Sequence, residues 1–172
     1  MLVDSHCHLD HLDLTDREGG LNGVLEAAKA RGVTHFLSVA VDMPTSKSLI
    51  ELTANYDNIY SSVGAHPLQK VQQEVPLVDE LVALSKQPRV VAIGETGLDN
   101  FYSSETIDWQ RASFINHLQA SQQINKPVII HTRDAREETI DLLRKYTPSA
   151  AGVMHCFTES WEMAEQALAL GF

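Results

Sequence analysis

The sequence has few cysteines and no long apolar run, and its first residues do not show the pattern of an export signal. Its 172 residues include two cysteines, too few for a disulfide-stabilised scaffold. Met1 is not followed by a basic segment and an apolar stretch, so we expect a cytoplasmic protein with reduced thiols. The apolar runs, such as Val90–Ile93, are only a few residues long. We therefore expect neither a transmembrane helix nor a membrane partner.

Basic residues are also scarce. There are 13 of them against 23 acidic residues, which gives a formal net charge of −10. This charge argues against a protein that binds nucleic acid through a broad basic surface. A nucleic-acid enzyme whose site is made positive by bound metal ions is still compatible with this charge. The hydrophobic content of 44% indicates a globular domain rather than a disordered segment.

Short apolar runs rich in valine and isoleucine alternate with amphipathic stretches. Leu21, Leu25 and Ala28 have helical spacing, and Gly32 follows as a stop signal. Each later run is also followed by a helical pattern, with a period of about 30 residues that is typical of βα units. The predicted strands are Met1–Asp4, His35–Val41, Tyr60–Gly64, Val90–Gly94, Pro127–His131 and Gly152–His155. The pattern predicts an α/β fold with a parallel sheet, and it leaves open a doubly wound sheet or a barrel.

Ligand-type side chains stand where these strands are expected to end. His6 and His8 are two residues apart, so they should share one face of the first strand. Three further strands end in a ligand-type residue: Glu95, His131 and His155. Parallel α/β folds place their active sites at the carboxyl ends of the strands, so the set predicts a metal site there. Imidazole ligands favour zinc, manganese, nickel or cobalt over magnesium.

Four segments resemble the motifs of the TatD-type metal-dependent deoxyribonucleases, whose superfamily is built on a (β/α)8 barrel. The segments are Asp4–Asp10, Gly94–Asp99, His131–Ala135 and His155–Thr158. The resemblance implies a TIM-type barrel in which residues 1–172 form a single domain, incomplete at the C-terminus, with about six of the eight βα units. The first and sixth strands would each lack a neighbour on one side, so we expect that self-association through these exposed barrel edges is possible.

The same resemblance implies a binuclear centre with two divalent ions, whether magnesium, manganese or zinc. His6 and His8 would bind one ion, His131 and His155 the other, and Glu95 would bridge them. His66 resembles the family's substrate-phosphate histidine. By this resemblance, His66 and the bridging Glu95 are the expected catalytic residues. In the family, the eighth strand supplies a further aspartate ligand.

Arg133 is the second expected substrate contact. It could bind a phosphate or pair with Asp99 or Glu95. Asn100 stands where the family often has a tyrosine that contacts substrate.

The implied activity is hydrolysis of DNA, by attack of a metal-bound hydroxide on a phosphodiester, with 3′-to-5′ exonuclease polarity. An alternative is hydrolysis of an amide or a lactone on the same barrel. Enzymes of that kind often carry a carboxylated lysine on the fourth strand, where this chain has Glu95. A third possibility is a metal-binding fragment without turnover.

The other polar residues receive simpler interpretations. Asp4 shares a face with His6 and could orient it. Cys7 and Cys156 should point away from the ligand face and pack. A further set is interpreted as loop or structural residues: Asp10, His11, His35, His117 and Asp134.

Overall fold

Strands and helices alternate along the computed structural model, which describes residues 1–69, 74–102, 104–146 and 148–172. In these ranges the strands are β1 (Leu2–Cys7), β2 (Val33–Ser38), β3 (Ile59–Val63), β4 (Val90–Asp99), β5 (Val128–Arg133) and β6 (Gly152–Met154). The helices are α1 (Gly20–Lys29), α2 (Met43–Thr53), α3 (Val78–Ser85), α4 (Ile107–Ile124), α5 (Arg136–Lys145) and α6 (Trp161–Ala169). Every strand run predicted from the sequence contributes a strand.

The strands form one sheet in the order β1-β2-β3-β4-β5-β6, and every neighbouring pair is parallel. Sequential order with a helix after each strand is the arrangement from which a (β/α)8 barrel is built. Because all the strands run the same way, their carboxyl ends lie along one edge of the sheet. Within the described ranges, no helix has both the length and the apolar character needed to cross a membrane.

Local sequence signals explain where several helices begin and end. The Asp42 carboxylate accepts a 2.7 Å hydrogen bond from the backbone N–H of Thr45, which caps α2. Ser160 caps α6 in the same way through the N–H of Met163. Asn125 ends α4 in a left-handed conformation, from which the chain turns into β5.

The main core lies where α3, α4 and α5 cover the middle of the sheet. Phe114 and Leu118 of α4 are fully buried, as are Ile93 and Ile130 of the strands they cover. Complete burial of an apolar side chain of this size is worth about 1.5–3 kcal/mol. The core therefore holds β4 and β5, the two strands that carry Glu95 and His131, in a defined position.

Three strands, β1, β4 and β5, extend further at their carboxyl ends than the sequence predicts. Both β4 and β5 continue past Glu95 and His131, so neither residue ends its strand as expected. The ladder continues because Gly97 pairs with His131, where the bare glycine lets the backbones approach closely. A Cβ atom built at Gly97 would lie 1.9 Å from the His131 carbonyl oxygen.

Candidate metal centre

Glu95 is the centre of the polar cluster at the carboxyl edge of the sheet. Its residue surface is 3% exposed, although it carries a carboxylate. Oε2 lies 3.2 Å from Nε2 of His6, whereas Oε1 lies 3.4 Å from Nε2 of His66 and 3.5 Å from Nδ1 of His131. Each carboxylate oxygen thus faces a different set of imidazoles. A carboxylate placed in this way can contribute to two neighbouring ion sites at once.

Two ligand groups share this glutamate. In each group, one nitrogen or oxygen atom per residue lies within 4.8 Å of the others. The groups are His6–Glu95–His155 and His66–Glu95–His131. Tertiary packing therefore brings residues from β1, β4, β5 and the segments after β3 and β6 to one place.

This grouping differs from the pairing that the resemblance implied. His155 lies against His6, with ring centroids 3.5 Å apart and planes inclined by 8°, rather than in one group with His131. His8 is in neither group, although its ring centroid is 5.3 Å from that of His6. Nδ1 of His8 lies 2.9 Å from the carbonyl oxygen of Val39. Because that carbonyl can only accept, Nδ1 carries the proton and Nε2 keeps a lone pair for a ligand.

The protonation pattern of His131 follows from its neighbour Asp99. Nε2 of His131 lies 2.9 Å from Oδ2 of Asp99, a fully buried carboxylate. An Nε2–H that donates to Asp99 leaves Nδ1 with a lone pair directed at Glu95. A carboxylate that holds the far nitrogen of a ligand histidine is a recurrent feature of metal sites, because it orients the ring and makes it more basic.

His66 has the opposite pattern. Its Nδ1 accepts a 3.1 Å hydrogen bond from the backbone N–H of Leu68. A backbone N–H is always the donor, so in neutral His66 the proton is on Nε2, the atom that faces Glu95. His66 therefore offers a proton at the site rather than a lone pair.

The ionisation of the cluster is strongly coupled. Burial raises the pKa of Glu95, but the adjoining imidazoles of His131, His6 and His66 outweigh it and lower the pKa well below its usual range. Burial lowers the pKa of His131, but Glu95 and Asp99 outweigh it and raise the pKa above its ordinary value. Burial lowers the pKa of His155, assisted by repulsion from the neighbouring imidazoles.

The residues present fit divalent cations. Nε2 of His6 is buried and has no hydrogen-bond partner among the described residues, although it lies near the Glu95 carboxylate. In the tautomer that Asp99 favours, His131 likewise turns a lone pair toward Glu95. Lone pairs and a carboxylate that face one another need a cation or a proton between them. Imidazole and carboxylate together are ligands that suit Zn²⁺ or Mn²⁺.

Arg133 does not pair with either acidic residue that the sequence suggested. Its guanidinium carbon lies 4.4 Å from the ring centroid of Phe101 and 4.6 Å from that of Tyr102. Asp4 accepts from the backbone N–H of His6 at 3.3 Å, a contact to the main chain rather than to the ring. In the part of the chain that the structure describes, no hydrogen bond or ion pair joins either residue to a ligand atom of the cluster.

The two cysteines occupy different environments. Cys7 packs against an apolar cluster and directs Sγ to the Leu37 carbonyl at 3.3 Å, as the alternation of β1 predicts. Burial, together with Asp4 and Asp10, raises the pKa of Cys7 to about 12. Cys156 is exposed and lines the same cleft as Glu95, so its predicted orientation is wrong. The reason is local: β6 ends at Met154, and Cys156 has a positive φ of 46° to which strand alternation does not apply.

Sequence reasoning missed the role of Asp99 and its support from α4. The Gln110 side chain accepts from the Asp99 N–H at 2.7 Å and donates to the Asp99 carbonyl at 3.1 Å. The available signal was the four-residue spacing of Glu95 and Asp99, which places both on one face of a continuous strand. A strand ending at Gly94 hid that relationship.

Known proteins resemble the chain over nearly its full length. The family model described as TatD related DNase matches residues 3–172. The chain is 45% identical over 172 residues to an uncharacterised metal-dependent hydrolase, YcfH, of Escherichia coli K12. The match covers 99% of this chain and 64% of that protein. It is 33% identical over 149 residues to a protein of Escherichia fergusonii named 3′-5′ ssDNA/RNA exonuclease TatD, with coverage of 86% and 57%.

A solved structure supports the same relationship. The crystal structure of YjjV, a TatD homolog from Escherichia coli K12, superposes with a TM-score of 0.87 at 26% identity. The match covers 98% of this chain and 65% of that one. The six βα units described above are thus units of a TIM-type barrel fold.

Proposed function

Because the chain belongs to the family of TatD related DNases, we propose that it is a metal-dependent hydrolase of DNA that removes nucleotides in the 3′-to-5′ direction. The observation that carries the proposal is the Glu95 carboxylate, whose two oxygens face separate sets of imidazoles. The polarity rests on the name of the Escherichia fergusonii relative. The chain spans less than two thirds of the YcfH sequence, so the activity is proposed for the protein to which these residues belong.

Five residues would hold two divalent cations: His6, His8, Glu95, His131 and His155. Glu95 would contribute to both sites. When bound, such cations supply Lewis acidity toward the phosphoryl group and make water nucleophilic at neutral pH. They also supply the positive charge that the acidic chain lacks for a phosphate substrate.

The chain's own residues would position the substrate and move a proton. Hydrolysis adds water to phosphorus, breaks one P–O ester bond and requires a proton on the departing oxygen. His66 presents Nε2–H at the cluster and is the proposed donor. Arg133 is the proposed contact for a substrate phosphate, because a guanidinium can bind phosphate through paired N–H groups and this one lies beside the exposed rings of Phe101 and Tyr102. Asp99 holds His131 in the orientation that directs Nδ1 inward.

The test is hydrolysis of single-stranded DNA labelled separately at its 5′ and 3′ ends. We expect cleavage after addition of Mg²⁺, Mn²⁺ or Zn²⁺ and none in chelator, with immediate release of the 3′ label. Lactones and amides are assayed in parallel. Metal-dependent hydrolysis of those compounds, without cleavage of DNA, would overturn the proposal in favour of the alternative chemistry.

Variants separate the proposed roles. His131→Ala should remove at least one equivalent of metal, measured by inductively coupled plasma mass spectrometry. His66→Ala should retain both metals while losing cleavage, because its lone pair is not used as a ligand. A matched histidine control is His35→Ala, since His35 lies within β2 and contacts Thr34 rather than the cluster. Loss of metal from the His66 variant would move that residue into the ligand set.

A further inference from the structure

The turn after β4 exposes two aromatic rings beneath an arginine. Phe101 and Tyr102 are 57% and 59% exposed, and their ring centroids lie 4.6 Å apart at an angle of 89°. The guanidinium of Arg133 is close to both rings. We call these three residues the aromatic shelf. Large apolar side chains exposed together beside a cation are more typical of a contact surface than of a loop tip.

The shelf is held in place by a residue that also orients the metal centre. Oδ1 of Asp99 accepts from the backbone N–H groups of Phe101 and Tyr102, at 3.0 and 2.7 Å. The other oxygen, Oδ2, faces His131. One buried carboxylate therefore fixes the aromatic turn and the candidate ligand relative to each other.

The strand ladder adds a second connection. The Asn100 N–H donates to the Arg133 carbonyl at 2.9 Å, and the Asn100 side chain donates to the Asp134 carbonyl at the same distance. Arg133 lies two residues after His131 on β5 and so shares its face of the strand. The shelf is thus continuous with the carboxyl edge that carries the site.

The chemistry of the shelf matches a nucleotide with an accessible base. Bases stack on aromatic rings and on guanidinium planes, and an arginine attracts the adjoining phosphate. In a duplex the base faces are covered by their neighbours, whereas in a single strand they are free to stack. Because the net charge is −10, a local cation such as Arg133 favours the approach of a polyanion to this part of the surface.

We infer that the aromatic shelf binds an unpaired base of a single-stranded nucleic acid next to the cleavage site. The inference rests on the proposed function, since it assigns a substrate subsite to the same centre. It predicts a preference for single strands that arises from stacking on Phe101 and Tyr102 rather than from the metal ligands. If the rings only shield Arg133 from water, no such preference exists.

Binding is tested with the metal-loaded protein and two labelled strands of equal length. One is oligo(dT) with hydrolysis-resistant phosphorothioate links, and the other has the same links but carries abasic residues. Fluorescence anisotropy should show that Phe101→Ala and Tyr102→Ala each weaken binding of oligo(dT) by about 5- to 100-fold. Binding of the abasic strand should stay within about twofold of the unaltered protein, because it offers no base to stack. Tyr102→Phe should retain most of the affinity.

Trp161→Ala is the matched control, because Trp161 is an aromatic residue that is 69% exposed at the start of α6. It should leave both affinities unchanged. Melting temperatures of all variants identify any that fail to fold. If the alanine variants do not fold, Tyr102→Phe, which keeps the ring, can still be measured. Equal losses of affinity for the two strands, or no loss of affinity for oligo(dT), would overturn the proposal that the aromatic shelf binds a base.

Cleavage of ordinary single-stranded DNA is measured separately. Base-dependent binding without cleavage would support the shelf and contradict the proposed hydrolysis. Normal cleavage with unchanged binding in both alanine variants would support the proposed hydrolysis and contradict the role of the aromatic shelf. Absence of binding and of cleavage in the unaltered protein would overturn both.

Discussion

Oδ2 of Asp99, a fully buried residue, lies 2.9 Å from Nε2 of His131. The two residues lie on neighbouring strands, where Asp99 pairs with Arg133 and His131 with Gly97. Asp99 therefore lies two residues along the ladder from the register position of His131, whose ring it orients. This contact explains how β4 supplies both a central carboxylate, Glu95, and the support for its neighbour on β5.

Asp99→Asn is expected to weaken metal binding by about 10- to 100-fold. The asparagine has one acceptor oxygen, so it cannot accept both from Nε2–H of His131 and from the N–H groups of Phe101 and Tyr102. The negative charge that makes the imidazole a stronger ligand is also lost. Titration calorimetry with Zn²⁺ or Mn²⁺ measures the change. Asp141→Asn is the control, because Asp141 is an exposed helix carboxylate near Arg144. Equal affinities for both variants and the unaltered protein would refute the role of Asp99.

The stability of the protein should fall between pH 6.5 and pH 4 because of His117. This fully buried ring accepts from the Ala65 N–H through Nε2 and donates to the Ser113 carbonyl through Nδ1. Burial lowers its pKa from 6.5 to about 4, with the Ser113 bond acting in the opposite direction. Above pH 6.5 the ring is neutral in both states and has no effect. Below pH 6.5 only the unfolded chain takes up the proton.

The contribution of His117 is thus a loss of up to about 1.4 kcal/mol of unfolding free energy per pH unit across that window. Urea denaturation at pH 7.5, 6 and 5 measures it. His117→Gln keeps an oxygen that can accept from the Ala65 N–H and removes the titrating group. Other ionisable groups are common to both proteins, so the His117→Gln protein should lose less stability on acidification. Parallel pH profiles would contradict the prediction.

Gly97→Ala is expected to destabilise the protein by about 3–5 kcal/mol, which is more than most single substitutions cost. The new methyl would lie 1.9 Å from a backbone oxygen of β5, at a φ of +141° that alanine rarely adopts. Only separation of β4 from β5 could relieve the contact. Circular dichroism melting measures the loss.

Gly32→Ala is the comparison for that experiment. Gly32 also has a positive φ, of +89°, but a Cβ atom there would meet nothing within 4 Å. The backbone strain alone should cost about 1–2 kcal/mol. A Gly97 variant that melts no lower than the Gly32 variant would show that the strands tolerate the methyl.

One of the two thiols should react rapidly in the native protein. Cys156 is exposed, whereas Cys7 is packed against apolar side chains and bonded to Leu37. Titration with Ellman's reagent should modify Cys156 first and Cys7 only after denaturation. Cys156→Ser should abolish the rapid phase, and metal content should be unchanged in serine variants at both positions. Loss of metal from either variant would make a thiol part of the ligand set.

Local patterns in the chain were sufficient to predict the alternation of six strands and six helices. Apolar runs such as Val90–Ile93 form strands because valine and isoleucine are buried on both faces of a parallel sheet. Capping residues such as Asp42 and Asn125 act through neighbouring backbone groups, so their effects can be read locally. The positions of His6, Glu95 and His131 at the same edge follow from this alternation alone.

The sequence by itself determined which residue types meet at the carboxyl edge, because parallel strands bring their ends together whatever their exact register. Only the tertiary structure decided their partners. Whether His155 lies against His6 or His131, and whether Asp99 reaches His131, depend on the stagger between strands and on ring orientation. Those depend on close contacts such as Gly97 with His131, between residues far apart in the chain. A periodicity of neighbouring residues carries no information about such distances.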